Sequence, residues 1–134
     1  LPKLLPRARL AAPAELEVLM LIDSLDMDER HRARIVAACE NSPQNAIVVI
    51  HGTDTMADTA RALGAAALPK TIVLTGAMIP AEVADSDALF NLGFAMAAAR
   101  LLPAGVHVAM NGEVHAWERV PKNRTIGVFE TDGK

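Results

Sequence analysis

Three short apolar runs punctuate the chain: "AIVVI" (46–50), "TIVLT" (71–75) and "VHVAM" (106–110). Each is rich in β-branched residues and bounded by polar ones, which predicts strands covered on both faces. Between them lie "TMADTARALGAAA" (55–67) and "DALFNLGFAMAAARLL" (87–102), whose apolar residues recur at helical spacing. Crossovers of that length imply parallel pairing of the strands they join. A further run, "ELEVLMLID" (15–23), carries Val18 to Ile22 without a break and reads as a buried strand ending at Asp23, although periodicity alone does not exclude a helix. The next helix starts at Asp26 as N-cap, with Glu29 three residues on as its capping-box partner. Ile35, Val36, Ala38 and Cys39 form its apolar side, and Asn41-Ser42-Pro43 stops it.

The remaining segments are shorter. Pro2, Pro6 and Pro13 break residues 1–14 into a short helical turn and a loop. Asn111-Gly112 is a tight-turn dipeptide that predicts a hairpin into "EVHAW" (113–117). "GVFE" (127–130) predicts a last strand. Together these give the fold class: an α/β protein with an open, doubly wound, mainly parallel sheet and helices on both faces. The pattern fits a single domain over residues 1–134 with no C-terminal domain.

Composition narrows the function. With 134 residues, 51% of them hydrophobic, the chain can bury a core without disulfide staples. A net charge of −3 excludes the basic footprint of a nucleic-acid binder, and no apolar run is long enough to span a membrane. Cys39 is the single cysteine, so no disulfide forms within the chain; this and the lack of a signal-peptide pattern predict a cytoplasmic protein. On the apolar side of its helix, Cys39 reads as a small buried hydrophobe rather than a nucleophile.

In open α/β sheets ligands bind outside the carboxyl ends of the strands. The residues that follow the strands here are Asp23, Ser24 and Asp26; His51, Gly52, Thr53, Asp54 and Thr55; Thr75, Gly76, Ala77 and Met78; and Asn111. None of these loops is a phosphate cradle, since neither GxxxxGK[ST] nor GxGxxG occurs. Gly52 permits a sharp turn and close ligand approach. Thr53 and Asp54 admit two readings: a cap for the helix at 55–67, or a site for a small polar ligand with an ammonium group. His51 and Asp54 at i, i+3 could begin a metal site, but no further ligand spacing completes one, so no metal and no cofactor are expected. A Ser24-His51-Asp54 triad lacks a nucleophile elbow. The charge run "MDERHRAR" (27–34) reads as a solvated helix face.

The same residues form a recognisable set. "HGTDTM" (51–56) resembles a signature of the L-asparaginase/glutaminase family, and "DSLDM" (23–27) resembles that family's substrate-binding loop. "TGAMIP" (75–80) is similar to its G-A-M-x-P segment, and "SDALFNLGFA" (86–95) to its S-D-x-x-x-N-L helix start. "VAMNGEVH" (108–115) and "VPKNRT" (120–125) resemble the strand and catalytic-lysine segment. The blocks occur in the family's order over residues 15–130, with the likeness nearest to small, single-domain bacterial members.

The resemblance implies an amidohydrolase that converts L-asparagine to L-aspartate and ammonia without a cofactor. It assigns Thr53, Asp54 and Lys122 to the catalytic group, the lysine ammonium tuning a hydroxyl that alone is a poor nucleophile. Asp54 would hold the substrate's α-ammonium and Ser24 its α-carboxylate, with Asp23 and Gly52 also among the substrate-binding residues. The Thr53 N–H would face the developing oxyanion, and the Ala77 carbonyl the leaving amide. Assembly as a homodimer or homotetramer is also implied.

The sequence departs from the family pattern at four points. It has no T-G-G-T, the motif that carries the family's usual nucleophilic threonine, and no tyrosine. Leu25 follows the substrate-binding serine where glutamine is frequent, and the C-terminal domain that completes a neighbour's site in larger relatives is not expected here. In the family the T-G-G-T strand lies between those matching 15–22 and 46–50. Leaving it out would strand two buried ladder edges, so a strand carrying that threonine is expected ahead of Leu1. Two other functions stay open: an inactive module that binds asparagine or aspartate, and an asparaginase-like subunit of an amidotransferase.

Overall fold

The computed structural model describes residues 3–120. Its elements are α1 (Leu4–Ala8), α2 (Glu29–Asn41), β1 (Ala46–Ile50), α3 (Met56–Ala66), β2 (Thr71–Thr75), α4 (Ala88–Leu101), β3 (Gly105–Met110) and β4 (Glu113–Ala116), with 3₁₀ turns at Ser24–Asp26 and Trp117–Arg119. The four strands form one sheet in the order β1-β2-β3-β4. β1 pairs parallel with β2, and β2 with β3, while β4 returns antiparallel. The hairpin turns where the sequence predicts it: Asn111 and Gly112 both hold positive φ, at 51° and 84°, as a two-residue turn matched to strand twist requires.

Alternation along the strands sends side chains to two cores. Ile72, Leu74, Val106, Val108 and Met110 meet α3 and α2 on one face, with Ile47 and Val49 joining them from β1. Val73 and Ala109 meet Ala95, Ala98 and Ala99 of α4 on the other face. The alanine side chains let α4 lie close to the sheet. Each threonine at the ends of β2 finds an acceptor: Thr71 Oγ1 donates to the Leu102 carbonyl (3.1 Å) and Thr75 Oγ1 to the Ala109 carbonyl (2.7 Å).

This arrangement has a topological consequence. Both crossovers, β1-α3-β2 and β2-α4-β3, step one strand in the same direction across the sheet, yet their helices lie on opposite faces. The two crossovers therefore differ in hand, and one is left-handed, against the strong right-handed rule for parallel strands.

Three local expectations need correction. Residues 15–23 form no strand. Leu19 and Met20 touch the core, but Leu16 and Val18 are exposed and Leu21 is 94% exposed. An apolar run supplies the side chains of a strand, but the strand exists only where its N–H and C=O groups meet a ladder, and among the described residues β1 pairs on one side only.

Helix α2 is capped by Asp28, not Asp26, which belongs to the 3₁₀ turn before it. Asp28 Oδ1 accepts from the Arg30 and His31 N–H groups (2.9 and 3.2 Å), and His31 Nδ1 accepts in return from the Asp28 N–H (3.0 Å). That is a capping box with histidine at its third position, so His31 is not simply solvated. Nor is 27–34 wholly a solvated face: Arg32 is buried, and its guanidinium donates to the Glu29 carboxylate (2.7 Å) and the Met27 carbonyl (3.3 Å). At the other end of α2, the Lys70 ammonium donates to the Cys39 and Glu40 carbonyls (2.7 and 3.1 Å), orphans of the last turn. Cys39 is buried, as its spacing predicts, and burial pushes its thiol pKa up.

Candidate active site

The residues after β1 and the 3₁₀ turn at Ser24–Asp26 are built against each other. Ser24 is only 2% exposed. A Cβ on Gly52 would come within 2.8 Å of the Ser24 Oγ, so a glycine is what admits the serine. Thr55 closes the contact: its Oγ1 donates to the Ser24 carbonyl (2.7 Å), while its N–H reaches the Ser24 Oγ at 3.4 Å. Thr55 stands at the N-cap position of α3 and does not cap it through its side chain. Thr53 and Asp54 thus precede the cap position, half-buried in the turn beside Ser24. Asp23 shapes its own turn by accepting from the Leu25 N–H (2.9 Å).

His51 anchors the turn from below. Its N–H donates to the Thr75 carbonyl (2.9 Å), carrying the β1–β2 pairing one residue past the strand. The ring is buried, with Nδ1 2.6 Å from the Gly52 carbonyl and Nε2 2.7 Å from the Thr59 hydroxyl. A carbonyl only accepts, so the Nδ1 carries the proton and Nε2 accepts from Thr59. Burial lowers the imidazole pKa below its ordinary value; the Gly52 carbonyl opposes this, Arg32 adds to it, and Asp58 opposes it. Both ring nitrogens are occupied by Gly52 and Thr59, which leaves neither for a Ser24-His51-Asp54 triad.

The loop after β2 meets the first from the opposite side. Gly76 lies so close to His51 that a Cβ would fall 2.2 Å from the His51 carbonyl oxygen. Fully buried Asn91 joins this loop to the β3–β4 turn: its Nδ2 donates to the Gly76 carbonyl (2.9 Å) and its Oδ1 accepts from the Asn111 N–H (2.9 Å). Asp87 accepts from the Met78 and Ile79 N–H groups (3.1 and 3.0 Å) and from the Asn111 side chain (3.0 Å). Burial alone would raise the Asp87 carboxyl, but these donors outweigh it and hold its pKa below the ordinary value.

The tertiary structure therefore links Ser24, Gly52 and Thr55 to His51, His51 to Gly76, and Gly76 through Asn91 to Asn111, along one edge of the sheet. Ala77 follows Gly76 and is half-buried there. Lys122 lies outside the described residues, as do residues 127–130. Thr55, Thr59, Asp87 and Asn91 bind this edge together. Thr59 lies outside the quoted motifs, whereas Thr55 falls within "HGTDTM" and Asp87 and Asn91 are fixed positions of the S-D-x-x-x-N-L helix start, where their i, i+4 spacing puts both on one face.

A model of the asparaginase N-terminal domain matches residues 1–130. The chain belongs to the asparaginase family. It is 35% identical over 120 residues to the probable periplasmic L-asparaginase of Haemophilus influenzae, covering 84% of this chain and 34% of that protein. It is 40% identical over 116 residues to a glutamyl-tRNA(Gln) amidotransferase subunit of Aeropyrum pernix, covering 81% of this chain and 27% of that one. The structure of a probable cytoplasmic L-asparaginase from Campylobacter jejuni superposes with a TM-score of 0.83 at 28% identity, over 98% of this chain and 43% of the other. The chain thus spans about a third or less of these two curated relatives.

As an asparaginase-family domain, the molecule presents at its carboxyl edge a half-buried hydroxyl and carboxylate, Thr53 and Asp54, on a turn at the start of α3. Backbone N–H groups at a helix start favour negative charge, a suitable setting for an oxyanion beside Thr53.

Proposed function

We propose that the protein hydrolyses the side-chain amide of L-asparagine to L-aspartate and ammonia by acyl transfer, with no cofactor. What carries this reading is the docking of Ser24 onto the Gly52–Thr55 turn, which sets two polar loops against each other beside Thr53 and Asp54. In it Ser24 receives the α-carboxylate, and Asp23 and Gly52, on the two loops that meet there, join it in binding substrate. Asp54 receives the α-ammonium, and Thr53, Asp54 and Lys122 form the catalytic group. The Ala77 carbonyl accepts from the leaving amide. A single asparaginase-like domain over 1–134, assembled as a homodimer or homotetramer, belongs to the same proposal. So does a cytoplasmic location, supported by the lone Cys39 and by a relative of that description. No helix among the described residues is long and apolar enough to cross a membrane.

The test is ammonia release from L-asparagine by the full-length protein. Thr53→Ala and Lys122→Ala should each lower kcat by about 100-fold or more, the scale lost when one group that stabilises the transition state is removed. Unchanged rates in both variants overturn the assigned roles.

A second reading has its own support: the amidotransferase relative is as similar, over as much of the chain, as the asparaginase. In that reading the domain releases ammonia for a partner protein. Free L-asparagine turnover by the isolated protein favours the first reading; turnover that needs an added amidotransferase component favours the second.

A further inference from the structure

Asp87 occupies the N-cap position of α4, yet its side chain does not cap that helix. The Ala88 N–H is taken by Ser86 Oγ instead (3.1 Å). The carboxylate turns to the loop after β2: Oδ1 accepts from the Ile79 N–H and Oδ2 from the Met78 N–H, with the Asn91 and Asn111 side-chain amides also donating to Oδ2 at 3.0 Å each. Asn91 meanwhile donates to the Gly76 carbonyl.

Those two anchors bracket Ala77. The peptide before it is held by its carbonyl, on Asn91; the peptide after it is held by its N–H, on Asp87. No peptide bond among the described residues is cis, so the Ala77 carbonyl lies opposite the Met78 N–H in the same peptide plane and points away from Asp87.

We propose that Asp87, with Asn91, is a positioning residue that aims the Ala77 carbonyl at the leaving amide nitrogen. This rests on the amidohydrolase reading above. In that reaction a hydroxyl oxygen bonds to the amide carbon, and the carbon–nitrogen bond then breaks with its electron pair remaining on nitrogen. The proton lost by the hydroxyl completes ammonia. The nitrogen gains N–H character as it leaves, so a carbonyl fixed in its path accepts a hydrogen bond that strengthens toward the transition state. An ester's leaving oxygen brings no N–H to that carbonyl. The carbonyl therefore favours amides over esters, and Asp87 sets that preference without touching substrate.

The experiment compares Asp87→Asn with the full-length wild-type protein on L-asparagine and on the β-methyl ester of L-aspartate. The nearly isosteric amide keeps one acceptor oxygen and presents donors where Oδ2 accepted three. The ratio of amide to ester kcat/KM should fall about tenfold, in line with the cost of misplacing a catalytic contact by a fraction of an ångström. Equal losses on both substrates, or none, overturn the proposal.

Amide hydrogen exchange reads the positioning apart from turnover. Met78 and Ile79 should lose about tenfold or more of their protection in Asp87→Asn, the scale of one hydrogen bond to a charged acceptor, while Val73 and Leu74 keep theirs. Unaltered Met78 protection overturns the proposal. A wild type that hydrolyses neither compound, with the Met78 loss intact, overturns the amidohydrolase reading and leaves Asp87 a loop anchor only. If the variant does not fold, exchange in the wild type through the acid range decides. Met78 and Ile79 must lose protection in one step as Asp87 is protonated; two separate steps overturn the proposal.

Discussion

The centre of the sheet and its open side are built from similar material with different results. "TIVLT" in β2 and "AIVVI" in β1 share length, β-branching and apolar character. Every residue of β2 is buried, whereas β1 runs from exposed Ala46 through half-buried Ile47, Val48 and Val49 to exposed Ile50. Beyond β1, "VLML" (18–21) is as apolar as either strand and forms no strand at all. What separates the three is how many ladder partners each has among the described residues: two for β2, one for β1, none for 18–21. A strand takes its burial from neighbours on both edges and both faces, so its own hydrophobicity is a requirement and not a cause.

The largest effect should come at the centre. Leu74→Ala removes a fully buried side chain between two strands and two helices, and should cost about 3 kcal/mol in urea unfolding. A loss under about 1 kcal/mol would erase the distinction between centre and side.

At the seam between β1 and β2, Gly76→Ala places a methyl 2.2 Å from the His51 carbonyl. Backbone has to move to admit it, at a cost of about 2 kcal/mol, the usual range for overpacking. The same variant should slow L-asparagine turnover by about tenfold, because Ala77 is the next residue.

His51 sharpens the comparison through pH. Its folded pKa lies below the ordinary 6.5 because the ring is buried. Above about 6.5 the ring is neutral in both the folded and unfolded states. Below that, the unfolded chain binds a proton that the folded one resists, so stability is full above 6.5 and declines as the pH falls through the lowered folded value. His51→Gln should flatten that decline while costing about 1 kcal/mol near neutral pH through its altered hydrogen bonds. A wild-type denaturation midpoint that does not change between about pH 7.5 and about pH 5 contradicts it.

The smallest effect belongs to the open side. Leu21→Ala, at a side chain 94% exposed, should change stability by no more than about 0.5 kcal/mol in the same urea assay. A change of about 2 kcal/mol would mean that 15–23 is buried in solution, and the contrast with β2 would fail.

Much of the centre was legible beforehand because its signals are local. β-branched runs bounded by polar residues marked β1, β2 and β3 within one residue of their ends, and Asn111-Gly112 marked the hairpin. The placement of the candidate site's loops was legible in outline: Gly52, Thr53 and Asp54 do follow a strand, and Ser24 packs against Gly52 and Thr55 of that turn. The miss at 15–23 came from inferring a strand from an apolar run without a ladder to receive it. The miss at Asp26 came from two aspartates two residues apart, where only the fold of the 3₁₀ turn decides which one reaches the helix N–H groups.

By itself the sequence determined the alternation of strands and helices, the family, and which loops carry hydroxyls and carboxylates, because periodicity and turn chemistry act over a few residues. The tertiary structure alone decided the opposite hands of the two crossovers, the seat of Ser24 against Gly52, and the neutral His51 clamped between Gly52 and Thr59. It alone turned Asp87 from a helix cap into the anchor of Met78 and Ile79. Each of these depends on backbone groups that meet only once the sheet has formed and whose buried hydrogen bonds must then be satisfied.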